Sequence, residues 1–304
     1  MTTPRRTAFT LFQLLLILAL LALLFALLLP LIAKAREQAL RVRKLNNLQQ
    51  MALASHNYHD TNQTLPPGND DKNYSAAAKL LPYLEQDNLY KAIDLTKAMD
   101  DPANATVRST LVKVFMSPLD LQGAPNKNYG PTNYLFNAGS KASLKDNDGV
   151  FFQNSKIKFP DITDGTSNTL MIGETLKGDG GAKAVDVKRQ HVRLKADALK
   201  ELKDDAGVQD FKDDKNIAGD RCASWMDGRF LQGTFTGTRL PNDLRPDVDC
   251  GGAGGLSALR SLDDAIGIAM CDGSTRVIKA TKIKPETWKA LMTRNGGEVL
   301  GPDF

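Results

Sequence analysis

Residues 9–33 read FTLFQLLLILALLALLFALLLPLIA, twenty-five consecutive positions without a charged side chain. The hydrocarbon core of a bilayer is about 30 Å thick and an α-helix rises about 1.5 Å per residue, so roughly 20 apolar residues span it. The run is long enough, and it follows Arg5 and Arg6. A secretory signal peptide also starts with basic residues, but its apolar core is only about 7–15 residues and ends at small cleavage-site residues. Here the run passes directly into AKAREQALRVRKLNNLQQMALASHNYHD, so cleavage behind it is not expected. The segment is predicted to be a transmembrane helix.

Beyond it, Ala35, Ala39, Val42, Leu45, Leu48, Ala52 and Ser55 recur at steps of three and four, the period of a helix with one buried stripe. The helix is therefore predicted to run on from the membrane segment (9–33) into a spine (34–65). Pro30 should kink it, and Pro66, Pro67 and Gly68 should end it. Residues 66–304 then show short apolar runs between turn residues, with Asp-Gly at 148–149, 164–165, 227–228 and 272–273. Asp-Gly supplies the positive backbone angles of tight hairpins. Strands are predicted at 150–152, 169–172, 230–235, 266–270 and 275–278. Val187, His191, Leu194, Ala198 and Leu202 fall at helical steps and predict a surface helix within a charged insertion near 177–220. The glycine cluster at 251–255 predicts a flexible loop, and Trp225 and Trp288 predict core anchors. Pro285, Glu286, Trp288, Leu291 and Met292, followed by Asn-Gly-Gly, predict a short final helix. The fold class is α+β, a long N-terminal helix packed on a β-rich C-terminal domain.

The formal net charge of +4 is unevenly spread. Residues 1–44 hold seven Lys or Arg against Glu37 alone, while the remainder carries 32 basic and 34 acidic residues. The globular part has no nucleic-acid footprint, and the basic cluster belongs to the membrane-proximal helix. Cys222, Cys250 and Cys271 allow one disulfide in an oxidising compartment, with the pairing open, and no C-x-x-C pair offers a zinc or redox site.

The N-terminus resembles a type IV pilin or pseudopilin leader: a short basic lead, the small residue Ala8, then Phe9, Thr10 and Leu11 opening the apolar helix. The rest resembles a large planctomycete family of pilin-like proteins of unknown function. The blocks that carry this are NYHD (57–60), LPPG (65–68), LPYLEQ (81–86) with NLY (88–90), TNY (132–134), DITDGTSNTL (161–170) with GE (173–174), SWMDGR (224–229), DGS (272–274) and TRNGGE (293–298). They follow the family's order from end to end, and only the charged insertion is unmatched. The resemblance implies a pilin-like architecture. It further implies a leader (1–8) cut between Ala8 and Phe9 by a prepilin peptidase on the cytoplasmic side, with methylation of the new Phe9 amine. The protein would be single-pass in the cytoplasmic membrane, its domain in the periplasm or at the cell surface. Other pilin-like subunits of a pilus or type II secretion-like filament would be its partners.

The sequence departs from that pattern at several positions. Ala8 replaces the usual Gly. Gln13 stands where most pilins have a Glu that pairs with the N-terminal amine of a neighbouring subunit. A carboxylate in lipid is retained when a positive partner compensates it. Gln13 keeps the hydrogen bonding and gives up the charge, which favours a minor, tip or solitary anchored subunit over a major one. The family's His-Pro-Gly-Gly near the end is LDDA (262–265) here, and its cysteine before Ser-Pro is Met116. The positive-inside rule, weighing Arg5 and Arg6 against the five basic residues after the apolar run, would keep the domain in the cytoplasm; leader cleavage requires the opposite.

His56 and His59 with Asp60 supply three metal donors and no fourth, and the end of a packed helix explains them equally, so no metal site is expected. Asp161, Asp164 and Asn168, with the oxygens of Thr166 and Ser167, could take calcium, but they lack the EF-hand spacing and also fit a self-bonded Asp-Gly turn. No G-x-S-x-G, H-E-x-x-H or phosphate-binding loop is present, so no catalytic residues are expected. The expected function is a membrane-anchored, pilin-like structural protein without cofactor. The alternative is an anchored module binding calcium or carbohydrate at the 161–168 turn.

Overall fold

A computed structural model describes residues 11–298, 300, 301 and 304. One helix, α1 (Leu11–Asn62), runs 52 residues with Pro30 inside it. The chain divides inside it, between Arg43 and Lys44, into two compact units. In the first unit the described residues are all helical, and through Ala39 every side chain is exposed. The Leu- and Ala-rich run favours this helix intrinsically, since unbranched side chains lose little rotamer freedom there.

The second unit begins within the helix, so the domain includes residues 44–62 and does not start at the proline-rich end of the spine. The buried side chains of α1 are Lys44, Asn47, Leu48, Met51, Ala52, Ala54 and Ser55. Leu48, Ala52 and Ser55 fall on the predicted stripe; Ala35, Ala39 and Val42 lie on the same line but are exposed. The helix stops four residues before Pro66. Gln63 takes a left-handed conformation (φ 60°), and its N–H donates to the His59 carbonyl at 2.7 Å, closing the last turn.

Among the described residues nine strands form two sheets: β1 (Tyr134–Gly139), β2 (Leu170–Glu174), β3 (His191–Leu194), β4 (Ile217–Ala218), β5 (Thr234–Thr236), β6 (Asp247–Cys250), β7 (Gly255–Leu256), β8 (Ala265–Met270) and β9 (Thr275–Lys279). The larger sheet has the order β5-β1-β2-β8-β9, with β1 and β5 parallel and the other pairs antiparallel. The smaller has the order β4-β3-β6-β7, with β3 and β6 parallel. The outer part of α1 packs on the larger sheet, sharing a core with Met171, Ile172 and Ala269. The approach is close: a Cβ on Gly267 would stand 3.0 Å from Leu48. A second core joins Leu135, Phe235, Ile266 and Ile268 to the C-terminal helix (Pro285–Met292) through Trp288 and Leu291. Trp225 and Trp288 are buried, and their indole N–H groups donate to the carbonyls of Thr110 and Arg239.

Four local expectations are corrected. Residues 187–202 form β3 and a 3₁₀ turn (Ala196–Glu201), because His191 and Val192 are drawn into a parallel pairing with β6 that helical spacing could not reveal. Val150 and Phe151 are buried and Phe152 half-buried, all in irregular backbone, and of 230–235 only the end, from Thr234, is strand. The 251–255 cluster is a turn whose end, Gly254 and Gly255, is buried as β7 begins, while Gly251 and Ala253 are exposed. All three cysteines are buried and free. Burial pushes the Cys222 thiol up to about 12 and Cys250 up to about 11.

Buried charge includes three compact clusters. Lys44 meets Glu174 at 2.7 Å. Asp120 is held by Lys177 and Arg189, at 3.3 and 3.0 Å. Asp247 on β6 pairs with both Arg221 and Arg260. Lys44, read from sequence as part of the membrane-facing basic cluster, thus belongs to the domain interior.

Candidate functional site

Ala8 and Phe9 lie outside the described residues. Gln13 sits in the first turn of α1, exposed among Phe12, Leu14 and Leu16. Among the described residues α1 is the one helix long and apolar enough to cross a membrane, and the side chains of its apolar window are unburied.

The 161–168 turn is tied into the fold by its own side chains. The Asp161 carboxylate accepts from the Lys158 N–H at 2.8 Å and closes a 3₁₀ turn. Asp164 accepts from the N–H groups of Gly296 and Gly297 at 2.7 and 2.9 Å, and the Asn168 amide donates to the Asp164 carbonyl. The DITDGTSN and TRNGGE blocks are therefore two halves of one clasp, and a cation at Asp164 would have to displace two backbone donors. His56 and His59 flank the Phe159 ring, with centroids 4.6 and 4.4 Å away. His56 Nε2 lies 3.0 Å from the Cys271 carbonyl oxygen, and Asp60 is exposed.

The arrangement with most chemistry is a cleft of about 370 Å³ at the end of the smaller sheet. On one side Arg193 of β3 donates through Nη2 to both oxygens of Asp220, at 2.7 and 2.9 Å, and through Nε to Asp249 of β6 at 3.3 Å. Beneath it His191 is fully buried, its Nε2 3.4 Å from Arg193 Nη2. Burial pushes His191 down to about 4, with Asp220 opposing and Arg193 adding to the shift, so the ring is neutral at pH 7. On the other side Arg229 forks onto the buried Asp227, with Nη2 at 2.6 Å and Nε at 3.0 Å. Burial raises the Asp227 carboxyl against the pull of Arg229. Gly252 donates its N–H to Asp249 at 2.7 Å, and the Tyr129 ring is steadied by the Arg108 guanidinium 5.0 Å from its centroid.

The sequence profile of a family described as a protein of unknown function (DUF1559) matches residues 33–282. The chain is a member of the DUF1559 family. No curated protein and no solved structure matches it. The DUF1559 region leaves out most of the apolar run and takes in the outer part of α1 and all nine strands. Within it, SWMDGR supplies Ser224, Asp227 and Arg229 to the cleft, while the charged insertion supplies Arg193 and Asp220. Sequence reasoning missed the second group, treating the insertion as a solvated surface. The signal available was the alternation of Asp247, Val248 and Asp249, a period of two that places both carboxylates on one face of a strand.

Proposed function

We propose that the chain is a membrane-anchored, pilin-like display protein whose domain stands outside the cytoplasmic membrane and which serves as a minor or solitary subunit. The observation that supports this most is the continuity of α1, which passes from an exposed apolar stretch into the core of the domain without a loop. A soluble fold has no use for seventeen exposed Leu, Ile and Phe side chains between Leu11 and Ile32, whereas a bilayer or the packed helices of a filament would cover them. Cleavage between Ala8 and Phe9 with methylation of Phe9 is the processing step of this reading. Mass spectrometry of the purified N-terminus tests it: a start at methylated Phe9 is expected, and an intact Met1 start overturns it. Protease added to spheroplasts should degrade the domain; full protection would place it in the cytoplasm. The alternative of a calcium or carbohydrate site at the 161–168 turn has less support, since the Asp164 oxygens already accept from Gly296 and Gly297.

A further inference from the structure

The polar cleft is lined by residues of the second unit alone, between Asn126 and Gly252. Its charged walls hold two cations and three carboxylates, a formal sum of −1 with no cation in excess. Arg193 and Arg229 face Asp220, Asp227 and Asp249, and His191 is neutral. A site for phosphate or a carboxylate ligand needs an uncompensated cation, and here each guanidinium is already neutralised by a carboxylate. Yet the pairing leaves capacity unused. Nη1 of Arg193 and Nη1 of Arg229 contact no acceptor among the described residues, and each guanidinium is partly exposed. The aspartates hold these donors rigidly while keeping further acceptor positions of their own. Ser224 Oγ in the same wall is buried without a hydrogen-bond partner. Tyr129 adds an aromatic ring to the lining, one face of it covered by the Arg108 guanidinium.

Fixed planar donors and acceptors with no uncompensated cation, beside one ring, match a molecule that carries no negative charge, both donates and accepts, and has an apolar face. That is the chemistry of a sugar: vicinal hydroxyls for the Arg–Asp forks and a C–H face for the ring. We propose that this cleft binds a neutral saccharide unit, its hydroxyls held by Arg193 and Arg229 and its ring seated on Tyr129. The volume, about 370 Å³, falls within the usual range for a small-molecule site and suits one or two sugar rings.

The test uses the full chain in nanodiscs, which avoids glycoside detergents, titrated by calorimetry with cellotetraose, maltotetraose and xylotetraose. Tetragalacturonate and inorganic phosphate serve as charged counterparts. Saturable binding of at least one neutral sugar is expected, weakened about tenfold by Arg229→Lys, which keeps the charge and loses the fork, and by Tyr129→Leu, which keeps an apolar side chain and loses the ring and its hydroxyl. Hydrogen exchange on the unaltered protein gives a second readout, with protection on sugar binding expected at 219–233 and 249–252. No binding of any neutral sugar at about 10 mM, tighter binding of tetragalacturonate or phosphate, insensitivity to both variants, or protection elsewhere overturns the proposal. None of these readouts depends on how the N-terminus is processed.

Discussion

Lys44 is 2% exposed, and its partner Glu174 also accepts from Ser117 Oγ at 2.7 Å and from the Gly267 N–H at 3.1 Å. Removing the ammonium alone leaves a carboxylate buried against β8. Lys44→Ala should therefore cost about 3–5 kcal/mol in urea unfolding, while Lys44→Met combined with Glu174→Gln should recover most of that loss. His191 predicts a pH dependence. Its folded value, about 4, lies below the ordinary 6.5, so between these values the unfolded chain binds more protons and stability rises with pH. Stability is complete above pH 6.5 and falls on acidification towards pH 4, by on the order of 3 kcal/mol. Urea midpoints measured across that window should lose much of this slope in His191→Asn. Neither residue was legible as buried. Lys44 belongs to a run of basic residues of which the others after the apolar run remain outside the interior, and what singles it out is a Glu 130 positions away. His191 looked helical by spacing because the strand that captures it, β6, is itself rich in aspartate.

At the scale of elements, the sequence spoke clearly where chemistry is local. The β8–β9 hairpin follows from Asp272 and Gly273, the latter at φ 84° with only His56 near its missing Cβ, at 3.8 Å. Gly273→Ala should thus cost about 1 kcal/mol through backbone strain alone, read as a lowered melting temperature with unchanged binding and assembly. The C-terminal helix was equally plain, from Pro285 at its first turn. By contrast β1 is buried along its whole length and carries Asn137, so no alternation of polar and apolar residues marked it, and the alternation in β6 runs for only four residues, Asp247–Cys250. Helix α1 was legible as one element, but the point where it enters the domain was not, because apolar spacing is the same on either side of Arg43. On its packed section, Leu48→Ala should cost about 2–5 kcal/mol by opening a cavity over β8. On its membrane section, Gln13→Glu should increase incorporation into filaments where partner subunits exist, and unchanged cross-linking yields would remove the role given to Gln13.

For the whole molecule, the division between Arg43 and Lys44 makes a prediction about what folds alone. A fragment starting at Lys44 should be soluble and unfold cooperatively. One starting at Gly68 lacks Leu48, Met51, Ala52 and Ala54 from the main core and should not show a cooperative transition by circular dichroism. Family membership and the α+β arrangement were both readable, since ordered sequence blocks and an apolar run survive without knowledge of contacts. The cleft was not, because it gathers side chains from three loops and two strands whose pairing no local pattern encodes. The three sealed thiols bear on biogenesis. With none of them bridged or poised to ionise, the fold asks nothing of an oxidative folding catalyst and offers nothing to glutathione. The same native domain should form on either side of a membrane, so it can be produced in a reducing cytoplasm, and its melting temperature should be indifferent to dithiothreitol.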